Sequence, residues 1–351
     1  MARAAVAMAD AARAVAGSAV GVAVAAEGVA DAGVGVAGAG AVGVAGAAVG
    51  VAGAAGEPWV RRHAQTRALP GARRYTASMQ IDVELPQGPF LFVSDAHLGI
   101  PVGTPGREQD LVSLLREEGR NARGVFVLGD LFDFWFEYRH AVPKFAFATL
   151  HALASLVHDG VPVFYLGGNH DFWAGSYLER EVGVRAFDRP ILARLEGRVV
   201  QLAHGDGLGP GDTGYKILKK ILRHPLSIAL YRALHPDLGI PFAQAMSAES
   251  RKHSEPRDIL LPKVVRDVAR PRLGADITAM VMGHVHEPCH YRENKQHFLI
   301  IGDWIENRTF VVFDGEFSLR RFDHAGSNVI QAEAFPPAPL APRRRRRSGG
   351  R

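Results

Sequence analysis

Five short apolar runs, each followed at once by a polar cluster, constrain the fold of this chain more than any other feature. They are FLFVSDAHLG, GVFVLGDLFD, VPVFYLGGNHD, VVQLAHGD and AMVMGHVH, all between residues 90 and 286. Short apolar runs that end in turn residues are typical of buried β-strands. Between them, apolar residues recur at helical spacing, as in Leu111, Leu114 and Leu115, or in Phe147, Leu150, Leu153, Ala154 and Val157. This alternation predicts a layered α/β fold, in which functional residues gather beyond the carboxyl ends of the strands.

Two stretches depart from this alternation. After residue 286 the segments FLIIGDW, TFVVFDG and EFSLRRF predict three short strands that complete a second sheet in antiparallel fashion. Residues 210–272 show helical patterns but no clear strand, so we expect a helical insertion, or lid, over the candidate site. The apolar residues of its segment 217–234 alternate with lysines and arginines. Amphipathicity alone favours packing on the domain below; the alternative is a lid that accepts acyl chains and rests on an anionic membrane surface.

Both ends of the chain differ in composition from the middle. The first 56 residues are mostly Ala, Gly and Val. This composition predicts that residues 1–78 form a low-complexity extension that is disordered or not native, with Met79 as a plausible start. The uncharged stretch 32–56 is long enough to span a bilayer, but Ala and Gly contribute little insertion energy, so a membrane anchor is the minor alternative. Residues 326–351 predict a disordered Pro/Arg-rich tail. The folded domain is therefore expected at residues 79–325.

The composition limits the class of protein. Apolar residues make up 47% and charged residues 22% of the 351 residues, as in soluble globular proteins. The single cysteine, Cys289, excludes an internal disulfide framework and fits a reducing compartment. The net charge of +5 can come from the arginine run at 343–347 alone. We interpret that run as a solvated tail; contact with nucleic acid or anionic lipid is the alternative.

The polar clusters contain the side chains that divalent cations bind. Asp95 and His97 lie two residues apart, so on an extended strand end both point to one side and can chelate one ion. Asp130 follows the next strand, where one carboxylate can bridge two ions. An amide oxygen and three imidazoles come from Asn169, His204, His284 and His286. Each residue alone has an ordinary explanation as a cap, turn or core group. Together they predict two ions about 3.5–4 Å apart that clamp a phosphate for in-line attack.

The order of these motifs resembles that of the calcineurin-like metallophosphoesterases, over about residues 90–322. In that family DxH, GDxxD, GNH[DE], a His before a Gly, and GHxH supply a dinuclear metal centre in a four-layer αββα sandwich. The resemblance implies one ion held by Asp95, His97, Asp130 and His286, and another held by Asp130, Asn169, His204 and His284. It implies catalytic roles for Asp130 and His170, and contacts to the substrate phosphate and leaving group for Asn169 and His170. Asp133 and Asp171 are then expected to support the metal ligands from behind.

A closer resemblance is to the UDP-2,3-diacylglucosamine pyrophosphatases of lipid A biosynthesis. GDLFDFW matches their extended second motif, GNHDFW is similar to their GNRDF, and HGDGLGPGDTGYK looks like their HGD segment. His170 thus stands where those enzymes have an arginine, which would hold phosphate bidentately, whereas a histidine titrates and donates one proton. The same resemblance implies substrate contacts for Asp212, Tyr215, Ser250, Arg251 and Lys252.

The resemblance implies a metal-dependent hydrolase that cleaves the pyrophosphate of UDP-2,3-diacylglucosamine to UMP and 2,3-diacylglucosamine 1-phosphate. The implied cofactors are two divalent cations, with Mn²⁺ expected. The implied partners are the nucleotide-lipid substrate and the cytoplasmic face of the inner membrane, where the protein is expected to act peripherally. Neither nucleic acid nor an obligate protein partner is expected. The alternatives are a metallophosphoesterase for another phosphodiester or phosphomonoester, such as a nucleotide or phosphoprotein, and a non-catalytic binding protein on the same fold.

Overall fold

Two β-sheets that lie face to face form the centre of the described part of the chain. The computed structural model describes residues 80–336, except 101–102, 104, 210–212, 252–256 and 325. These residues all belong to the second of two units into which the chain divides, residues 74–351. The predicted extension at residues 1–78 and the arginine run at 343–347 lie outside the described residues.

The described part of the chain forms thirteen strands and six α-helices. The strands are β1 (Val83–Leu85), β2 (Phe90–Val93), β3 (Gly124–Val127), β4 (Val163–Leu166), β5 (Arg185–Phe187), β6 (Ile191–Leu195), β7 (Arg198–Ala203), β8 (Ala279–Met282), β9 (Cys289–Glu293), β10 (Gln296–Ile300), β11 (Thr309–Asp314), β12 (Glu316–Arg321) and β13 (Asn328–Ile330). The helices are α1 (Arg107–Leu114), α2 (Phe147–His158), α3 (Thr213–Leu222), α4 (Pro225–Ala233), α5 (Pro236–Arg251) and α6 (Arg257–Val264). Single π-helical turns occupy Leu115–Gly119, Leu178–Val182 and Val265–Ala269.

The strands form a six-stranded sheet, β1-β6-β7-β8-β10-β9, and a seven-stranded sheet, β13-β12-β11-β2-β3-β4-β5. Apolar side chains from both sheets meet between them, and three stacked phenylalanines cross neighbouring strands there. The ring centroids of Phe92 and Phe126 lie 4.9 Å apart, and those of Phe126 and Phe164 lie 4.8 Å apart. Such pairs add about 0.5–1.5 kcal/mol each beyond the burial of their area.

Helices cover the outer faces of both sheets. The apolar faces of α1 and α2 pack on the seven-stranded sheet, and the turn at Val265–Ala269 packs on the six-stranded sheet against Met280 and Phe298. The layers are therefore helix, sheet, sheet and helix. The predicted four-layer αββα sandwich is confirmed, and the five predicted strands are β2, β3, β4, β7 and β8.

The expected completion of a second sheet is partly wrong. β11 and β12 do join β2 in antiparallel order. The segment FLII, however, belongs to β10, which pairs in parallel with β8 in the other sheet. The reason is β9, whose sequence CHYRE has too little apolar character to identify it as a strand. It forms an antiparallel hairpin with β10 and brings the chain back beside β8.

Two smaller expectations are corrected. Phe147 does not share the buried face of α2; it is the first residue of that helix and its side chain is 74% exposed.

The folded part also continues beyond residue 325, where the tail was expected to begin. Asn328–Ile330 forms β13 at the edge of the seven-stranded sheet, and Glu333 makes a bridge to Tyr291. With only three residues, β13 is too short to predict as a strand without its partner β12.

A buried pair of histidines lies at the edge of the six-stranded sheet. Nε2 of His290 lies 3.0 Å from Nδ1 of His297, and the second ring packs against Phe317. Burial lowers the pKa of both imidazoles to about 4, and the charge of Arg292 acts in the same direction, while the Glu316 carboxylate opposes it. Both rings are therefore neutral at pH 7, and one donates its N–H to the other.

This pair should make the fold sensitive to acid. In the unfolded chain both imidazoles bind protons near pH 6.5, whereas in the folded protein they do so only near pH 4, so stability falls as the pH falls between these values. His297→Gln removes one titrating group. Between pH 7.5 and 5 this variant should lose about 2 kcal/mol less unfolding free energy than the wild type, measured by urea denaturation. The exposed His158→Gln is the control; an equal loss in H297Q and the wild type would contradict the prediction.

Candidate active site

The five polar clusters meet at one edge of the two sheets. β2, β3 and β4 are parallel neighbours in one sheet, and β7 and β8 are parallel neighbours in the other. The carboxyl ends of all five strands therefore point to the same edge, where the chain leaves each strand through a polar cluster. Two facing sheets bring donor side chains from both sides into one site.

Four of the site residues have a left-handed backbone conformation that is uncommon outside glycine. The φ angles are 52° at Asp95, 43° at His97, 50° at Asp130 and 68° at His284. Each costs about 1–3 kcal/mol and persists only where surrounding contacts hold it. The Asp95 N–H donates to Gly129 O at 3.1 Å and the His97 N–H to Asp130 O at 2.9 Å, so the two strand ends hold each other in these conformations.

Two glycines of the motifs allow the polar groups to approach closely. A Cβ added to Gly168 would overlap the Asp130 carboxylate, and one added to Gly283 would overlap the Ser94 hydroxyl and the Asp95 carboxylate. The glycines before Asn169 and His284 are therefore required by packing against the carboxylates of neighbouring strands.

One set of donors surrounds the space between β2 and β8. His97 Nε2 lies 3.2 Å from His286 Nε2, 3.9 Å from Asp95 Oδ1 and 3.8 Å from Asp130 Oδ2. His286 Nε2 lies 3.6 Å from Asp95 Oδ1. Ligand atoms about 2.1 Å from one octahedral ion lie about 3 Å apart when adjacent, so this group can close around a divalent cation with small movements.

A second set of donors lies on the other side of Asp130. His204 Nε2 is 3.3 Å from Asp130 Oδ2 and 2.9 Å from Asn169 Oδ1. Asp130, His204 and His284 each place a ligand atom within 4.8 Å of the others. Asp130 Oδ2 thus faces both sets, as a bridging carboxylate would. The structure brings together all seven predicted ligands, although which atom binds which ion stays a prediction.

The charges in the centre favour a cation. Burial acts to raise the pKa of Asp130, but His204 and His170 hold it well below its usual range, so it is ionised. Burial acts to lower the pKa of His204, but the Asp130 charge and hydrogen bond raise it to about 10. Burial and the repulsion of His204 lower the pKa of His284 to about 4, so this imidazole is neutral and able to ligate. The negative potential that raises the pKa of His204 also attracts a metal ion.

Asp133 lies behind His97 and contacts its ring. Its Oδ1 lies 3.3 Å from His97 Nδ1, which leaves His97 Nε2 facing the ligand set. Burial acts to raise the pKa of Asp133, but the bonds from His97 and Ser247 lower it, so it is an ionised acceptor. An ionised partner at Nδ1 selects the imidazole tautomer in which Nε2 can bind a metal.

Asp171 is fully buried and joins the ends of β3 and β4. Its Oδ1 accepts the Gly168 N–H at 2.7 Å, and its Oδ2 accepts the Leu131 N–H at 2.8 Å and the hydroxyl hydrogen of Tyr165. Burial and the nearby Asp130 charge raise its pKa to about 6. Asp171 therefore fixes the two loops that carry Asp130 and Asn169 relative to each other.

Helices α3 to α6 form the predicted helical insertion and lie next to this edge. Trp173 donates to Leu222 O at 3.1 Å, and Lys219 pairs with Asp206 of the HGD motif. An aromatic cluster anchors α4, because Tyr231 packs on Phe136 and Trp173 at centroid distances of 4.7 and 4.9 Å. The extra aromatic residues in GDLFDFWFEY and GNHDFW therefore hold the insertion in place.

The insertion does not bury its whole apolar face. Six of its large apolar side chains are among the most exposed in the described residues: Ile217, Ile221, Leu226, Leu230, Leu238 and Phe242. Simple packing on the domain below, which amphipathicity alone favoured, accounts only for the side that contacts the aromatic cluster. Among the described residues, no helix has both the length and the apolar character needed to cross a membrane.

Several predicted substrate contacts cannot be placed. Asp212 and Lys252 lie outside the described residues, and the side chains of Tyr215, Ser250 and Arg251 are likewise outside them. His170 is described, and its Nε2 lies 3.9 Å from Asp130 Oδ2. It therefore faces the same space as the ligand sets.

Sequence reasoning missed three residues that hold the centre. Ser94 donates to the Asp95 carboxylate, Asp303 lies 3.7 Å from His286 Nδ1, and Ser247 of α5 lies beside His170. Asp303 follows the strand β10 in a Gly-Asp pair, as Asp130 follows β3. This pattern could have identified Asp303 as a site residue from the sequence. No comparable pattern marks Ser247, because it lies in the middle of a helix.

Comparison with known proteins agrees with this arrangement. The model of the calcineurin-like phosphoesterase family matches residues 88–288, more than half of the chain. UDP-2,3-diacylglucosamine hydrolase of Porphyromonas gingivalis is 32% identical over 248 residues, which cover 64% of this chain and 93% of that protein. The proteins of the same name from Pseudomonas savastanoi and Xanthomonas oryzae are each 29% identical, over 67% and 66% of this chain and 96% and 98% of their own lengths.

Asp171→Asn should loosen the centre without touching a ligand. The amide would place an N–H where a carboxylate oxygen now accepts a backbone N–H, leaving a buried donor without its acceptor. We expect a loss of about 2 kcal/mol in unfolding free energy and about a 10–100-fold weaker affinity for divalent cation, measured by urea denaturation and metal titration calorimetry. The exposed Asp159→Asn is the control. Unchanged metal affinity in D171N would show that Asp171 does not position the ligand loops.

Proposed function

This chain belongs to the calcineurin-like phosphoesterase family, and we propose that it hydrolyses the pyrophosphate of UDP-2,3-diacylglucosamine to UMP and 2,3-diacylglucosamine 1-phosphate. The observation that carries this proposal is a metal-binding centre beside a helical insertion with an exposed apolar face. Relatives named for that substrate align along nearly their whole lengths. A charged diphosphate joined to acyl chains needs both a cationic centre and an apolar surface next to it.

We propose that the two ligand sets hold two divalent cations, with Mn²⁺ in both. Asp95, His97, Asp130 and His286 would hold the first ion, and Asp130, Asn169, His204 and His284 the second. The mixture of carboxylates, one amide oxygen and four imidazoles suits Mn²⁺, which binds oxygen and imidazole alike. When bound, such a pair of ions neutralises phosphoryl charge and lowers the pKa of a coordinated water.

The protein side chains supply position and charge for the phosphate. Asp130 lies between the two ligand sets and holds them at one spacing. His170 lies at the margin of the centre, with an 11% exposed side chain whose Nε2 faces inward. We propose that this nitrogen contacts the phosphoryl or leaving-group oxygen, at the position where the resemblance to the UDP-2,3-diacylglucosamine pyrophosphatases implies an arginine.

We further propose that the insertion receives the acyl chains and that the protein works at the cytoplasmic face of the inner membrane. Support comes from the exposed side chains of α3 and α4, of which Ile217, Ile221 and Leu230 are each more than half exposed. Arginines and lysines lie on the same helices, including Lys220 and Arg232, and such residues attract anionic lipid. Burying one such side chain against lipid contributes about 1.5–3 kcal/mol.

The first test is product analysis with Mn²⁺. The protein should release UMP from UDP-2,3-diacylglucosamine faster than it releases p-nitrophenol from bis-p-nitrophenyl phosphate. Asp130→Ala removes the shared carboxylate and should lower the rate about 1000-fold or more, while the exposed Asp159→Ala leaves it unchanged. Chromatography detects UMP and circular dichroism checks the fold. Cleavage of the generic ester alone would reject the lipid substrate and keep the metal centre.

The second test concerns the insertion. Ile221→Glu places a charge on its exposed apolar face and should raise the KM for UDP-2,3-diacylglucosamine in mixed micelles about 10-fold, with the rate on bis-p-nitrophenyl phosphate unchanged. Val329→Glu is the matched control, because Val329 is similarly exposed but lies on β13. Sedimentation with anionic vesicles reports membrane binding in the same variants. Equal KM values for I221E and V329E would argue against a role of this face in lipid binding.

A further inference from the structure

A serine of the insertion reaches into the centre. Ser247 lies on α5 and is 8% exposed. Its Oγ lies 2.8 Å from Asp133 Oδ1 and 3.0 Å from His170 Nδ1. The same Nδ1 lies 3.1 Å from the backbone carbonyl oxygen of Asp133. The insertion is therefore linked by hydrogen bonds to a side chain that faces the reaction space.

The chemistry of these three groups determines where the hydrogens lie. The Asp133 carboxylate can only accept, so the Ser247 hydroxyl donates its single hydrogen to it. The hydroxyl oxygen then accepts from His170 Nδ1, as does the Asp133 carbonyl. Both neighbours of Nδ1 are acceptors, and this nitrogen carries a hydrogen. The ring is held by its Nδ1 edge, with Nε2 directed towards Asp130 Oδ2 at 3.9 Å.

This restraint matters because His170 has one atom with which to reach the phosphate. An arginine has five N–H donors on a long side chain and can meet a phosphate from several positions. A histidine presents a single nitrogen, so its ring must be held in one orientation. Misplacing a catalytic group by about 1 Å can lower a rate about 100-fold.

From this geometry we infer that Ser247 is a positioning residue, which holds the imidazole of His170 so that Nε2 faces the scissile phosphate. The inference rests on the proposed hydrolysis for the identity of the phosphate, not for the hydrogen-bond network. It makes the insertion part of the reaction centre: docking of α5 completes the orientation of His170.

The same helix offers a matched control. Gln244 lies one turn before Ser247, and its side-chain amide donates to Gly99 O at 3.1 Å in the loop after β2. Both residues hold α5 to the domain, but the side chain of Gln244 bonds to a backbone carbonyl and not to His170. Removing either side chain loosens the docking of the helix, and only the loss of Ser247 frees the imidazole.

A double-mutant cycle on the Mn²⁺-loaded full-length protein tests the inference. H170A should lower kcat about 100-fold, and S247A should lower it about 10-fold with little change in KM. If Ser247 acts through His170, the double variant S247A/H170A should be no slower than H170A. Q244A should lower kcat about 3-fold or less. In the double variant Q244A/H170A, the fold-losses in kcat of the two single variants should multiply. S247T keeps the hydroxyl and should stay within about 3-fold of the wild type.

The cycle is measured with UDP-2,3-diacylglucosamine and with bis-p-nitrophenyl phosphate. Activity on the generic ester alone would reject the proposed substrate, and the cycle on that ester would still test the role of Ser247. A further 10-fold loss in S247A/H170A would overturn the inference, because Ser247 would then act on the substrate or the ligands independently. Wild-type kcat in S247A would overturn it too. Thermal unfolding of S247A and Q244A separates both results from a general loss of stability.

Discussion

The carboxylate of Asp130 is the group on which the rest of the site depends. Its Oδ1 accepts the His170 N–H at 2.9 Å, and its Oδ2 faces His97, His170 and His204 at 3.8, 3.9 and 3.3 Å. Holding one buried carboxylate against donors from both sheets requires a left-handed backbone at Asp130 and a glycine at 168. Unpaired, such a charge would cost several kcal/mol. The imidazoles around it, and the cations that the family binds, offset that cost.

The parts of the fold that the sequence predicts are those in which local pattern and burial agree. β2, β3, β4 and β8 lack charged or amide side chains because both faces of each strand are covered, and β7 is apolar except at Arg198 and Gln201. Each of the five ends in a cluster that water or a ligand must satisfy. Their order along the chain also identified the family, and the family match confirms that resemblance. The site followed from this because the carboxyl ends of parallel strands meet at one edge.

The rest depends on partners that are distant in the chain. β9 is polar at one end and becomes a strand only beside β10, and the short β13 needs β12. Which sheet receives β10 is decided by that hairpin and not by the apolar run itself. The family resemblance implies that Asp171 supports the ligands, but only the fold shows that its two oxygens join loops that carry different ligands. Ser247 is the clearest case, since nothing in the helical pattern of α5 distinguishes it from a solvent-facing serine.

The insertion shows how specificity is added to a shared centre. The metal ligands lie on strand ends whose positions the two sheets determine, so they are available to any phosphate that reaches the edge. What distinguishes one substrate from another must then come from elements that are not part of the sheets. Here these elements meet at His170: its backbone N–H bonds to Asp130, and its ring bonds to α5 through Ser247. A residue held on one side by the metal centre and on the other by the insertion can respond to both. A histidine at this position has a short side chain, so the chain depends on the helix to place the nitrogen that faces the ligand sets.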